Sequence, residues 1–331
     1  MRYMGSKAKL TNFIDSVVSI CESKISRKGK IQFTDLFAGS GKVSEHYKNR
    51  FAVTANDIEF YSFVALKNIL ENDSSVAKSV QGNLDFMNRC LGKIGFITES
   101  YSPAGNRLYF TEENARIIDE AVSYVYEMKS LHLLSEKQFY YLLGCILEAV
   151  DRVSNTTGQY CTYLKHVTPQ AAKRIRFEHI ALGELQNRCN SVLRLDAADA
   201  IGVVRGDILY LDPPYTFNYS NRYHLLNTIL KNDKPAIHGV SGRRADFNKC
   251  GWSSKKKAPE LLGDILDKAD FKFIVMSYSN DSIMSAECVA DLFASKGKYS
   301  RYVQQHQRYK SRKDRDHAPA MVTEYLHVLE K

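Results

Sequence analysis

Ile31-Gln32-Phe33-Thr34-Asp35-Leu36-Phe37-Ala38-Gly39-Ser40-Gly41 is the stretch on which the fold turns. A largely apolar run of strand length meets an acid and then a glycine-rich turn, and a helix begins near Lys42. Glycine lets the backbone bend tightly and come close to a ligand. A second strand, Phe51-Ala52-Val53-Thr54-Ala55-Asn56, ends at Asp57, and a helix from about Glu59 to Leu70 follows. Strand, helix and strand in this spacing make a βαβ unit, which implies parallel strands and a right-handed crossover.

In an open parallel sheet, ligands sit at the carboxyl ends of the strands. Asp57 stands about twenty residues beyond the turn, where an acid can accept both ribose hydroxyls of a nucleoside. A dinucleotide fingerprint needs a third glycine, but Ser44 occupies that position. A phosphate cradle needs Ser or Thr after Gly41-Lys42, and Val43 stands there. S-adenosylmethionine has an adenosine and no phosphate, so it needs the turn and the acid alone. It is the cofactor these residues favour.

A second decisive string is Ile208-Leu209-Tyr210-Leu211 followed by Asp212-Pro213-Pro214-Tyr215. A buried strand ends in an acid, two prolines and an aromatic. The exocyclic amine of a nucleobase is a poor nucleophile because its lone pair is delocalised into the ring. Acceptors aimed at its two hydrogens help it rehybridise. Asp212 offers a carboxylate, Pro213 keeps its carbonyl acceptor, and Tyr215 offers a face for stacking. Methyl transfer to such an amine is the chemistry this set suits.

At 331 residues the chain can bury a large core, with one large domain and a smaller insert as the default. Residues 72–190 carry little strand signal. Thr111 to Ser130 and Ser135 to Val150 read as helices with Thr or Ser caps, and 168–188 as another helix. The expected organisation is a core of 1–71 and 191–331 around a helical insert of 72–190. Strands resume at Val192 to Leu195, Ile208 to Leu211 and Phe271 to Tyr278, with a helix from about Ser282 to Ser295. Tyr299 to Gln304 and Met321 to Leu329 read as a terminal hairpin, making one strand antiparallel in an otherwise parallel sheet.

No apolar run reaches bilayer length, and the start lacks the apolar core of a signal peptide, so the cytoplasm is the expected location. The seven cysteines are widely spaced and odd in number, and the nine histidines show no ligand spacing. Reduced, mostly buried thiols and no metal are expected. The net charge is +9. Residues 231–257 hold Lys231, Lys234, Arg243, Arg244, Lys249, Lys255, Lys256 and Lys257 against Asp233 and Asp246. A second basic loop carries Arg308, Lys310, Arg312, Lys313 and Arg315. Two such loops favour a phosphate-facing surface. Arg222, Arg243, Arg244, Lys255, Lys256 and Lys257 are the candidate DNA contacts.

Taken together, these strings resemble the Dam-type adenine-specific DNA methyltransferases, whose order is an amino-terminal cofactor motif, the glycine turn, a recognition insert, then Asp-Pro-Pro-Tyr. Tyr3-Met4-Gly5-Ser6-Lys7 is similar to the first motif, Phe37-x-Gly39-x-Gly41 to the turn, and Asp57 to the ribose acid. Asp196 resembles, more loosely, an acid near the cofactor's adenine. Ser277-Tyr278-Ser279-Asn280 and Glu324-Tyr325-Leu326 resemble later strand ends. The resemblance implies an α/β, Rossmann-like sheet, mostly parallel, and a helical target-recognition insert. It implies that Tyr3, Lys7, Asp35, Phe37, Ala38, Gly39, Gly41, Asp57, Ile58, Asp196 and Asp212 hold S-adenosylmethionine. Asp212, Pro213, Pro214 and Tyr215 would act on the N6 amine of a flipped adenine in double-stranded DNA. A restriction endonuclease acting separately is the implied partner. Three rival readings stay open on the residues alone: a cytosine exocyclic-amine methyltransferase, an RNA or protein methyltransferase, and a non-catalytic DNA-binding protein.

Overall fold

The computed structural model describes residues 7–186, 189–214, 219–248, 250–307 and 321–331. Its strands are β1 Gln32–Asp35, β2 Ala52–Asn56, β3 Ser191–Leu193, β4 Gly206–Leu211, β5 Ile237–His238, β6 Arg243–Arg244, β7 Phe271–Ser279, β8 Lys298–Gln307 and β9 Met321–Glu330. The chain divides into two compact units. Among the described residues, one comprises 7–58, 193–214, 250–307 and 321–331, and the other 59–186, 189–192 and 219–248.

The first unit holds a seven-stranded sheet in the order β3-β2-β1-β4-β7-β9-β8. β1 pairs parallel with β2 and with β4, and β4 pairs parallel with β7. β9 runs antiparallel to both β7 and β8. This is the expected methyltransferase-type sheet with one reversed strand. The chain leaves β1 toward β2 and β3, then returns to build β4 on its other side. The carboxyl ends of β1 and β4 therefore flank the point where strand order reverses, the place where ligands bind in open α/β sheets.

Helices cover the sheet for the usual reason of periodicity. In Thr11–Ser23 the buried positions are Ile14, Val17, Val18 and Cys21, one apolar stripe. In Lys257–Lys268 they are Ala258, Leu262, Ile265 and Leu266. The latter pack with Leu36, just past β1, and with Leu209, Leu211, Ile274 and Met276 of the strands. Neither helix is among those expected from the sequence. The helix read over 282–295 is shorter, Ala286–Ala294, and starts where the Ser285 side chain accepts from Cys288 N at 3.1 Å.

The second unit is mainly helical and also carries the β5–β6 hairpin and a non-helical stretch after residue 153. Its main helices are Phe60–Glu71, Glu112–Ser130, Glu136–Val153 and His224–Lys231. Ser135 and Gln138 form a reciprocal capping box, as the Ser cap suggests. The unit is wider than the expected insert. Phe60, Tyr61 and Val64 from one flank and Tyr223, Leu226 and Leu230 from the other are buried in the same core as Ile118 and Leu142.

The helix expected over 168–188 does not form in its described part. That segment begins in a turn over 169–172 and then runs without regular structure, with Ile175 and Phe177 buried at alternate positions. Its backbone finds partners in side-chain amides. Asn114 Nδ2 donates to Lys173 O at 2.9 Å and Asn114 Oδ1 accepts from Ile175 N at 2.8 Å. Asn88 makes the same two-way clasp on Phe177, at 2.8 and 2.9 Å. With those groups satisfied, the helix has lost its advantage. All seven cysteines are free thiols, but only Cys21, Cys90 and Cys145 are buried, fewer than expected. No described helix is long and apolar enough to cross a membrane.

Candidate active site

The glycine turn after β1 is held open by geometry that only glycine tolerates well. Gly39 has φ 51° and Gly41 φ 73°. Ala38 N donates to Asn56 O at 3.0 Å, and Gly39 N donates to Asp57 Oδ2 at 2.8 Å. The β1 and β2 ends are thus tied together through Asp57 itself. Asn56, buried, completes the tie. Its Nδ2 donates to Leu36 O and Leu195 O, both at 3.1 Å, and its Oδ1 accepts from Leu195 N at 3.0 Å. One amide thereby clasps the ends of three neighbouring strands, a role hidden in the sequence because an asparagine after a strand looks like an ordinary turn residue.

Asp35 is 1% exposed and accepts from Ser44 Oγ at 2.7 Å through Oδ2. Its Oδ1 is buried with no hydrogen-bond partner among the described residues. Burial pushes its carboxyl up to about 7. The Ser44 bond opposes this, and the charges of Asp212 and Asp57 add to it. A buried acceptor lacking a donor fits a ligand that brings an N–H, as does the half-buried Asp57 for hydroxyls. Phe37 meets Trp252 edge to face at 5.1 Å. Asp196 is exposed and accepts from Ala198 N at 2.9 Å, beside a shallow cleft lined also by Ile201, Trp252 and Leu261. Ala38 is buried and Ile58 half-buried.

At the end of β4, Asp212 is half-buried, Pro213 buried and Pro214 half-buried. Lys7, 6% exposed, places Nζ 3.1 Å from Asp212 Oδ1 and 2.9 Å from Glu324 Oε1. Ser277 Oγ donates to the same Glu324 oxygen at 2.6 Å. Burial raises the Asp212 carboxyl from the ordinary 3.8 to about 6. The Lys7 ammonium pulls it down and the Glu324 charge pushes it up. Lys7 is therefore engaged with the carboxylate that would face the amine. Glu324, read from sequence only as a strand end, is the counter-charge that completes the cluster. Tyr3 and Tyr215 lie outside the described residues, as do Lys249 and the cations Arg308, Lys310, Arg312, Lys313 and Arg315.

The candidate DNA contacts differ sharply from one another. Lys255, Lys256 and Lys257 are exposed at the start of their helix. Arg243 is half-buried, donates to Asn221 Oδ1 at 3.2 Å and lies over Phe247. Arg222 is half-buried and donates to Gln159 Oε1. Arg244 is 2% exposed and grips two acids: Asp233 at 2.7 and 2.6 Å, and Asp246 at 3.0 and 2.9 Å. Burial works against its charge, but the two carboxylates more than offset that and raise its pKa. Its donors are spent inside the fold, so the expectation that Arg244 meets DNA gives way to a structural role.

A sheet of this order, with acids grouped around a glycine turn and Asp-Pro-Pro closing β4, defines a methyltransferase acting on amines of nucleobases. The model of the D12 class N6 adenine-specific DNA methyltransferases matches residues 3–308, and the chain belongs to that family. Among its relatives, "Type II methyltransferase M.NlaIII" of Neisseria lactamica is 35% identical, with 100% of this chain aligned to 99% of that protein. "Type II methyltransferase M.CviAII" of Paramecium bursaria Chlorella virus 1 is 32% identical, over 93% of this chain and 92% of that protein. "Type II methyltransferase M.FokI" of Planomicrobium okeanokoites is 32% identical, but this chain spans only 53% of its length. The chain is thus an adenine-specific DNA methyltransferase, and a methyl donor of the S-adenosylmethionine type follows from the family in general.

Proposed function

We propose that the chain moves a methyl group from S-adenosylmethionine to the N6 amine of an adenine turned out of duplex DNA at a specific sequence. The observation that carries this is the Asp212 carboxylate, held on Lys7 at the end of β4, next in the sheet to the strand that bears the glycine turn. Bound there, the donor would supply an electrophilic methyl group. Asp57 would accept from the ribose hydroxyls, Asp35 from an N–H, and Asp196 would lie near the adenine. Asp212 and the Pro213 carbonyl would accept the two amine hydrogens, with Tyr215 stacked on the base.

Alignment of amine and methyl, and stabilisation of positive charge growing on nitrogen, then do most of the work. Asp212 need not be a strong base, because a methylated amine cation sheds its proton readily. It must be ionised, however, which its raised pKa makes a condition of pH. Arg222, Arg243 and Lys255 to Lys257 would meet phosphates, which position without specifying sequence. Sequence readout would rest chiefly with the helical unit. The relatives' names as type II methyltransferases support a restriction–modification role, with the nuclease on a separate chain and the enzyme in the cytoplasm.

Expression in a host free of DNA methylation, followed by single-molecule sequencing of the host DNA, tests the reading. Modified adenines in one recurrent sequence context are expected. Modified cytosines, or unmodified DNA from a folded and expressed chain, would overturn it.

A further inference from the structure

Within the helical unit, one turn combines a braced backbone with an exposed apolar tip. β5 and β6 pair antiparallel, Ile237 opposite Arg244 and His238 opposite Arg243, and Gly239-Val240-Ser241-Gly242 closes the hairpin. Gly239 and Gly242 have φ 71° and 61°, and Gly242 N donates to Gly239 O at 3.1 Å. Each carbonyl of the turn has a donor group within reach. Arg107 Nη2 donates to Gly239 O at 3.2 Å and Nε to Val240 O at 3.0 Å. The Tyr109 hydroxyl lies 3.1 Å from Ser241 O and 3.0 Å from Tyr160 O, so its one hydrogen is shared between them, and the Tyr101 hydroxyl donates to Gly242 O at 2.7 Å. Both tyrosines are fully buried. A Cβ on Gly242 would stand 2.9 Å from Arg107 Nε, so the fit is close.

On this braced turn Val240 is 83% exposed. A single exposed valine is ordinary. What is not ordinary is that three side chains from elsewhere in the unit hold still the backbone that presents it. Its β-branched side chain has little rotamer freedom to lose. Its surroundings are cationic. The Arg107 guanidinium spends its bonds on carbonyls, Nη1 reaching Ser100 O and Gly105 O, and no carboxylate among the described residues pairs with it. Arg243 and the exposed His238 flank the turn. A rigid apolar point beside the Arg107 and Arg243 guanidiniums matches a partner with an anionic exterior and an apolar stack inside.

We propose that Val240 is a wedge that enters the base stack of the DNA substrate and offsets the cost of unstacking the target adenine. This rests on the proposed function above, in which the base must leave the stack. The probe is a duplex carrying the site found by methylome mapping, used with the target adenine either paired or opposite an abasic position. In single-turnover methylation, Val240→Ala should be slower by about tenfold or more on paired DNA, the scale of unstacking one step. On the abasic partner the deficit should shrink to within about threefold, since that base is already free. Val240→Ile should keep the wild-type rate. Binding of S-adenosylmethionine, and of a scrambled duplex across a salt series, should not change. An unaltered Val240→Ala rate on paired DNA, or an equal loss on both duplexes, overturns the wedge. Failure of the wild-type chain to methylate any duplex instead overturns the proposed function.

Discussion

Replacing Lys7 with Met should move the acid limb of the methylation rate toward neutral pH. Lys7 bonds both Asp212 and Glu324, and with it in place Asp212 sits at about 6. Removing an opposite charge this close raises a carboxyl by roughly 1–3 units. Asp212 then loses its opposite charge, while Ser277 still donates to Glu324. If the amine needs an ionised acceptor, the rate falls as pH drops through the Asp212 value. A shift of about two units makes the variant about fourfold slower at pH 7.5 and about twenty-five-fold slower at pH 6.5. At pH 9 the two should be nearly equal.

Glu324→Gln works in the opposite sense. It removes the like charge that pushes Asp212 up, so its limb should move below about 6. The double variant should fall between the two singles, and the cycle isolates the coupling. The assay is single-turnover methyl transfer from pH 5.5 to 9, with donor binding measured by calorimetry at each pH. Acid limbs that stay in place in both single variants, with donor binding intact, would falsify the view that Asp212 acts as an ionised acceptor tuned by this cluster.

Asp212→Ala should abolish transfer in steady-state assays while donor binding stays within about tenfold, since in the proposed mechanism the missing acceptor serves the base. Asp57→Ala should weaken S-adenosylmethionine by roughly 1.5–3 kcal/mol, the range for a hydrogen bond to a charged group, as read by calorimetry. Arg244→Ala should cost the fold about 2–4 kcal/mol in chemical denaturation, less than a fully buried pair because Asp233 and Asp246 keep some solvent. Neutralising Arg243, Lys255, Lys256 and Lys257 should leave stability alone and weaken all duplexes alike. Every phosphate released from the protein should flatten the log–log salt slope by about 0.9, and weakened discrimination at an unchanged slope would count against the phosphate role. Asn114→Ala should destabilise by about 2–4 kcal/mol in the same denaturation assay, because it removes the partners of Lys173 O and Ile175 N together.

What the sequence discloses follows from how local each feature is. A short apolar run ending in Gly-x-Gly, in Asp57 or in Asp-Pro-Pro carries its own punctuation, so β1, β2 and β4 and their end groups are readable within a dozen residues. The clasp on 168–188 is not, since its donors are Asn88 and Asn114, far away in the chain and unremarkable where they stand. Glu324 likewise looks like any strand residue until the antiparallel return of β9 sets it opposite Ser279 and brings it to Lys7.

The basic run 231–257 shows the same limit in its sharpest form. Counting charges treats Arg243 and Arg244 as equals, but β6 is a strand, and successive side chains on a strand point to opposite faces. Arg244 falls on the inward face, where Asp233 and Asp246 turn it into an internal tie, while Arg243 keeps a partly open face over Phe247. The run also crosses a boundary: Arg243 and Arg244 belong to the helical unit, and Lys255 to Lys257 to the unit that carries the sheet. One stretch of positive charge therefore supplies three different things. They are a structural tie, a cation of the helical unit, and a lysine cluster on the unit that carries Asp212. Only the pleat and the path of the chain tell them apart.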